Sequence, residues 1–170
     1  MNAITRFLTG FALIAALGLM AGCSNDVTEP VVRRPVQSNT PPPPAVPIDQ
    51  VTFAFDPFIG APGNIADDLS RKIGALAKSQ NLTIIRRSDR KVTYRVKGYL
   101  SAVGDNTGTV IVYVYDIFDA ANRRVYRLTG QETSSGSSGD PWSGITGGTL
   151  QNVAVRTIDG LKSWLTRAGG

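Results

Sequence analysis

Apolar and polar residues alternate along much of the second half of the chain, and this pattern predicts a β-rich domain. Between residues 92 and 102, apolar side chains alternate with Thr, Arg, Lys and Tyr, which indicates a strand with one buried face and one wet, basic face. Residues 109–118 are apolar on both faces until Asp116 and form the strongest predicted strand. Turn residues at 104–108 and 119–122 favour antiparallel hairpins on either side of it. The remaining strands are predicted at 51–58, 82–86 and 125–131.

Two further segments repeat their apolar residues with the spacing of a helix. In 65–79 the apolar positions fall on one face, and Asn64 is the expected N-cap with two aspartates in the first turn. The segment 149–167 carries a longer apolar stripe. The order β-α-β-β-β-β-α therefore predicts an α+β domain over residues 51–170. We expect an antiparallel sheet of four to five strands with two helices packed on one face.

The N-terminal residues show a different pattern, that of a signal for export. From Phe7 to Met20 the chain is almost wholly apolar, and Arg6 is the single charge in the first 25 residues. This run is too short to cross a ~30 Å hydrocarbon core as a helix, which needs about 20 apolar residues. It fits the apolar region of a secretory signal peptide, which we assign to residues 1–22.

The apolar run ends in Leu19-Met20-Ala21-Gly22-Cys23, and Cys23 is the chain's single cysteine. This exit resembles the lipobox of bacterial lipoproteins, in which small residues precede a lipid-modified cysteine. The resemblance implies acyl chains such as palmitate on Cys23, so that the mature protein is anchored to a membrane without spanning it. Ser24 and Asn25 follow, and by resemblance to known sorting rules they imply the outer membrane, with the domain facing the periplasm. The alternative is a signal peptide cut elsewhere, with Cys23 incidental.

Residues 23–50 predict a tether between the anchor and the domain. The segment is rich in proline, including the run Pro41–Pro44, with Ser, Asn, Thr and Gln between. Such a composition cannot bury enough apolar surface to offset the entropy of ordering, so we expect a disordered, polyproline-type spacer. At ~3.1 Å per residue its reach is at most on the order of 85 Å. It either clears the lipid headgroups or reaches toward peptidoglycan and beyond.

The residue types in the domain limit its chemistry. The chain contains no histidine, and its one cysteine is Cys23, which excludes Cys–His and Ser–His nucleophiles and zinc sites built on imidazole or thiolate. Carboxylate pairs fall where helix starts and turns favour aspartate anyway. The glycines at 60 and 63 lack the spacing of a phosphate-binding loop. We therefore expect a protein that is not an enzyme and has no catalytic residue, metal or cofactor.

One charge feature rises above the background of a chain with a net charge of +5. Six basic residues fall between positions 86 and 97, and we single out four as candidates for binding a partner: Arg86, Arg87, Arg95 and Lys97. Outside the cytoplasm, nucleic acid is an improbable partner, whereas an acidic protein surface or an anionic envelope polymer fits the charge. The alternative is a solvated strand edge that blocks association between sheets.

Tyrosines on the central strand are a second candidate. Tyr113 and Tyr115 share one face of the predicted strand 109–118. If helices cover only the other face, these rings lie on the wet side, where Tyr with Arg is the composition of interface hot spots. The alternative is cross-strand aromatic pairing that stabilises the sheet.

The order of lipobox, proline-rich tether and βαββββα domain resembles two groups of outer-membrane lipoproteins. One is the lipoprotein activators of penicillin-binding proteins, whose opening strand-helix-strand is similar to the segment from Val51 to Arg87. The other is the lipoprotein that plugs the lipopolysaccharide-transport barrel. The resemblance implies a domain that binds an envelope protein such as a peptidoglycan synthase. The alternatives are an accessory of outer-membrane assembly or lipopolysaccharide transport, and a structural lipoprotein of the envelope.

Overall fold

The computed structural model describes residues 46–89, 91–137 and 139–168. The predicted signal peptide, Cys23 and most of the tether lie outside these residues. The described chain contains five strands and two helices in the predicted order. The strands are β1 (Thr52–Phe55), β2 (Thr83–Ile84), β3 (Tyr94–Gly104), β4 (Thr109–Phe118) and β5 (Arg124–Ser134). The helices are α1 (Gly63–Ser79) and α2 (Gly147–Ala168), with short 3-10 turns at Ile48–Gln50 and Pro141–Gly144. Within the described part of the chain, neither helix is long and apolar enough to span a membrane.

The sheet has the strand order β2-β1-β3-β4-β5 and is mixed. β3, β4 and β5 pair antiparallel, as the short turns predict. The prediction of a purely antiparallel sheet is wrong for β1, which runs parallel to both of its neighbours. The reason is the length of the connections: α1 carries the chain back along the sheet before β2, and residues 85–93 do so before β3. A connection that returns the chain in this way makes the next strand parallel.

The start of α1 also differs from the prediction. The helix begins at Gly63, so that Pro62 takes the N-cap position and Asn64 lies inside the first turn. Pro62 has no side-chain oxygen to cap the helix, and no cap hydrogen bond is made there. The predicted cap by Asn64 is therefore wrong. The apolar face is as expected, with four of its members buried: Ile65, Leu69, Ile73 and Ala77.

Both helices pack on one face of the sheet, as predicted. The Trp164 ring of α2 lies 4.9 Å from Tyr94 on β3 and stacks at 5.1 Å on Tyr126 of β5. α1 packs beside α2, and the stripes of both helices share one core with the sheet. The sheet side of this core is formed by buried residues of the three central strands: Phe53, Val96, Leu100, Ile111, Tyr113, Tyr115 and Ile117.

Candidate functional site: the open face of the sheet

The face of β4 that carries the tyrosines is the face under the helices. Tyr113 and Tyr115 are 2% and 0% exposed, so the prediction that they line a wet face is wrong. The register explains why the rings fit there: Tyr115 lies opposite Gly98 and Tyr113 opposite Gly130. A β-carbon on either glycine would collide with an aromatic ring. Gly130 therefore leaves the space that the Tyr113 ring fills, and Gly98 leaves the space that Phe58 fills beside Tyr115.

Burial also sets the acidity of these phenols. Desolvation raises the pKa of Tyr115 and, together with the nearby Glu132 carboxylate, that of Tyr113. Both rings therefore stay protonated through the physiological pH range. They are parts of the core and are not accessible to a partner.

The opposite face of the sheet carries no helix among the described residues, and we call it the open face. Its side chains follow from the register of β3, β4 and β5. On β3 they are Arg95, Lys97, Tyr99, Ser101 and Val103; on β4 they are Val110, Val112, Val114, Asp116 and Phe118; on β5 they are Arg124, Arg127, Thr129, Gln131 and Thr133.

Part of the open face is apolar and in contact with solvent. Val103 is 65% exposed, Tyr99 38% and Val112 38%. Ile59, 55% exposed, joins them because its backbone bridges to β3 beside Tyr99. We call these four residues the apolar band. Six large hydrophobic side chains are exposed in the described chain, and these are four of them. Val114 of β4, which is half-buried, pairs with Tyr99 on one side and with Thr129 on the other.

The other part of the open face is centred on a buried carboxylate. Asp116 is 4% exposed and accepts two hydrogen bonds of 2.6 Å from Arg127, one on each carboxylate oxygen. Arg124 approaches to 3.7 Å. The hydrogen bonds from Arg127 hold the pKa of Asp116 below its ordinary value, against the opposing effect of burial. Asp116 is therefore a fixed anion that holds arginine side chains in place.

Two of the predicted partner-binding residues belong to this region. Lys97 lies opposite Asp116, with its Nζ 4.9 Å from the centre of the Phe118 ring. Arg95 donates to the Asp56 carboxylate at 2.9 Å and to the Arg87 carbonyl at 3.1 Å. We call the four cations of this region the basic cluster: Arg95, Lys97, Arg124 and Arg127.

Sequence reasoning missed Arg124 and Arg127 because they are distant along the chain from the run at 86–97. The hairpin register was the signal that could have found them, since pairing β4 with β5 sets Arg127 opposite Asp116. Arg86 and Arg87 are exposed in the connection between β2 and β3 and not in a strand. Arg90 lies outside the described residues.

The open face combines exposed apolar side chains with arginine and lysine around one buried carboxylate. Its one buried carboxylate is held ionised by arginine. In residues 46–89, 91–137 and 139–168, no three His, Cys, Asp or Glu side chains are grouped so as to hold a metal ion. An apolar centre flanked by arginine is instead the composition of a protein-binding surface.

Neither a protein-family model nor a curated protein matches the sequence. Among solved structures, the chain is similar to PelC from Paraburkholderia phytofirmans, solved as a dodecamer, with 12% identity and a TM-score of 0.45 over 68% of this chain and 91% of PelC. A DUF330 protein from Xanthomonas campestris gives 13% identity and a TM-score of 0.45 over 75% of this chain and 90% of that protein. A lipoprotein from Neisseria meningitidis gives 5% identity and a TM-score of 0.42 over 66% of this chain and 99% of that lipoprotein. At these low scores and identities, the likenesses carry no conclusion about function.

Proposed function

We propose that the chain is a lipid-anchored lipoprotein of the bacterial envelope whose domain binds an envelope protein through the open face. The sequence around Cys23 supports the anchor. A lipobox implies more than one acyl chain on this residue, and several chains keep a protein on a membrane stably, whereas a single chain does not. By the residues that follow Cys23, the anchor sits in the outer membrane and the domain faces the periplasm. The domain acts by binding and does not catalyse a reaction.

The observation that carries the binding role is the apolar band beside the basic cluster. Monomeric proteins rarely expose large contiguous apolar patches unless the patch serves a function. Here Tyr99 and three aliphatic side chains form the centre, and Arg127, Arg124 and Lys97 form the flank. The Arg127 guanidinium is held by two hydrogen bonds to Asp116, so fixing it against a partner costs little side-chain entropy.

This surface fits a protein that presents an apolar centre with acidic residues at its edge. Cations on the flank, including Arg86 and Arg87 in the nearby connection, accelerate and orient the approach of such a partner. A peptidoglycan synthase reached by the proline-rich tether is the partner we favour. The tether matters in that case because the anchor and the partner's domain are in different parts of the envelope.

The anchor is tested by Cys23→Ser in cells grown with a labelled fatty acid. The label should disappear from the protein and the uncut precursor should accumulate. A variant at an unrelated exposed position, Ser79→Ala, should be labelled and matured as the wild type is. Normal maturation and labelling of the Cys23→Ser protein would overturn the proposed anchor.

The binding surface is tested by placing a photoreactive amino acid at Val112 of the apolar band. Illumination of living cells should give one discrete adduct with an envelope protein. The matched control carries the same amino acid at Ala75, which is exposed on α1. The same adducts from both positions, or none from Val112, would contradict the proposal.

The distance to the partner is tested by deleting residues 40–45. A synthase beyond the reach of the shortened tether should no longer be captured, while the thermal stability of the protein stays the same. Undiminished capture would place the partner close to the membrane that holds the anchor and would exclude a distant synthase.

A further inference from the structure

The described domain has a distinct end at which the preceding residues join it. β1 starts there, and the pairing of Phe53 with Tyr94 places the start of β3 beside it. Phe118, the last residue of β4, pairs with Arg95 on β3 and with Arg124 at the start of β5, so these strand ends lie at the same end of the sheet. The last turns of α2 lie there too, since Trp164 contacts the Tyr94 ring. We call this the tether end.

Cations outnumber acids at the tether end. Its exposed cations are Lys78, Lys91, Arg123, Arg124, Lys162 and Arg167. Its acids are Asp49, Asp119 and Asp159, and exposed Asp89 lies in the same connection as Lys91. Asp119 pairs with Arg123 at 2.7 Å, and Asp159 accepts a hydrogen bond from Gln80.

Acids prevail at the opposite end of the sheet. There the start of α1 carries Asp67 and Asp68, and the β3–β4 turn and the loop beside it carry Asp105 and Asp140. The nearby cations Arg71 and Lys72 both approach the Asp68 carboxylate. The domain is therefore polarised along its length, with the positive end where the tether joins.

The tether end also exposes apolar side chains. Val46 and Ile48 are 38% and 52% exposed at the junction with the preceding chain. Beside them opens a cleft of about 480 Å³ that is lined by Val51, Leu82 and Leu165, with Lys162 among the residues around it. Asp49 and Lys162 are the two charged residues of this cleft. Exposed apolar groups beside lysine and arginine are the composition found at a bilayer interface, where cations meet phosphate and apolar groups reach the acyl boundary.

We propose that the tether end docks onto the anionic headgroup surface of the membrane that carries the lipid anchor. The inference rests on the proposed anchor for its choice of membrane. The chain enters the domain at its positive end, so seating that end on the membrane needs no crossing of the tether over the domain. The open face runs along the side of the sheet and stays turned to the periplasm, where it is free for a protein.

The test separates docking from anchoring. The purified mature chain with Cys23→Ser, which carries no acyl chain, is mixed with vesicles of phosphatidylcholine alone or of phosphatidylcholine with phosphatidylglycerol. Flotation should show binding to the vesicles with phosphatidylglycerol only, and added salt should weaken it. The triple variant Lys91→Gln, Lys162→Gln, Arg167→Gln should bind on the order of a hundredfold more weakly, because each of the three cations near an anionic surface contributes roughly fivefold.

A control of equal net charge distinguishes position from total charge. The triple variant Arg71→Gln, Lys72→Gln, Arg156→Gln removes three cations that pair with Asp68 or Glu132 away from the tether end, and it should bind the vesicles within about twofold of the unsubstituted protein. Equal losses in the two variants, equal binding to both vesicle types, or no binding at all would overturn the docking. If the photoreactive amino acid at Val112 gives no adduct in cells while the vesicle binding is as predicted, the proposed protein partner is wrong and the docking stands.

Discussion

On one face of β4, the side chains of Tyr113 and Tyr115 lie under two helices, whereas on the other face Val112 is in contact with solvent. Both faces are apolar in sequence, so hydrophobicity alone does not separate them. The neighbouring strands do: glycines lie beside the tyrosines, and Ser101 and Gln131 lie beside Val112. The face on which glycines leave room for large rings forms the core. The face on which Val112 has polar neighbours is in contact with solvent.

The comparison also shows two ways to bury a polar group. On the covered face, the Tyr115 hydroxyl is buried without a hydrogen-bond partner among the described residues, and Thr157 of α2 donates instead to the Val153 carbonyl. On the open face, Asp116 is buried by the arginine side chains that it binds. The covered face depends on the helices, and the open face builds its own local cover from charged groups.

The largest effect that separates the two faces is expected at Trp164, which packs on the covered side against Tyr94 and Tyr126. Trp164→Ala should lower the free energy of unfolding by about 3–5 kcal/mol, because it leaves a cavity in the core. Urea denaturation of the wild type and the variant measures this. A loss below about 1 kcal/mol would show that α2 does not hold the core as described.

A smaller effect is expected where a glycine makes room for a ring. Gly130→Ala should destabilise the protein by about 1–3 kcal/mol, because the new methyl group would overlap the Tyr113 ring. The control is Gly74→Ala in α1, where a β-carbon meets nothing within 4 Å. That change should stabilise the protein by roughly 0.5–1 kcal/mol. The same sign for both changes would contradict the packing of Tyr113 against β5.

The ion pair of the open face should have a moderate effect that depends on pH. The pKa of Asp116 is lowered in the folded protein, so its contribution to stability is present above the unfolded value of about 3.9 and is lost as the pH falls through the folded pKa. Asp116→Asn should cost about 1–2 kcal/mol at neutral pH. A difference in the free energy of unfolding that stays constant from pH 7 to about pH 2 would contradict this assignment.

The smallest effect is expected in the apolar band. Val103→Thr should change the free energy of unfolding by no more than about 0.5 kcal/mol, because the side chain is 65% exposed. Thermal denaturation measures this change. A loss as large as that of Gly130→Ala would mean that the open face is covered when the protein is folded.

Local patterns were sufficient to predict most of the fold. The order of elements, the limits of β4 and the packing of both helices on one face follow from periodicity and turn residues. The parallel pairing of β1 did not follow, because it depends on the connections through α1 and residues 85–93. The N-cap at Pro62 was missed because a side-chain cap was expected and Pro62 makes none.

The candidate site was less predictable, since it is assembled by register. Arg95 and Lys97 were identified from one basic run, but Arg124 and Arg127 join them only when β5 pairs with β4. Tyr113 and Tyr115 were assigned to the wrong face because the pattern of β4 does not say which side the helices cover. The lipidation of Cys23 stays a prediction that the described residues do not reach.

The most direct test of the division between a folding face and a binding face uses the photoreactive amino acid at Val112 together with Val103→Lys, which places a charge in the apolar band at a side chain that is 65% exposed. Adduct yield in cells and the melting temperature of the purified protein are measured on the same variant. We predict that the adduct is lost while the melting temperature stays within about 2 °C of the parent, as expected for a surface substitution. An adduct that persists at full yield would contradict the account. So would a loss of adduct that is accompanied by a matching loss of folded protein, seen as a lowered melting temperature.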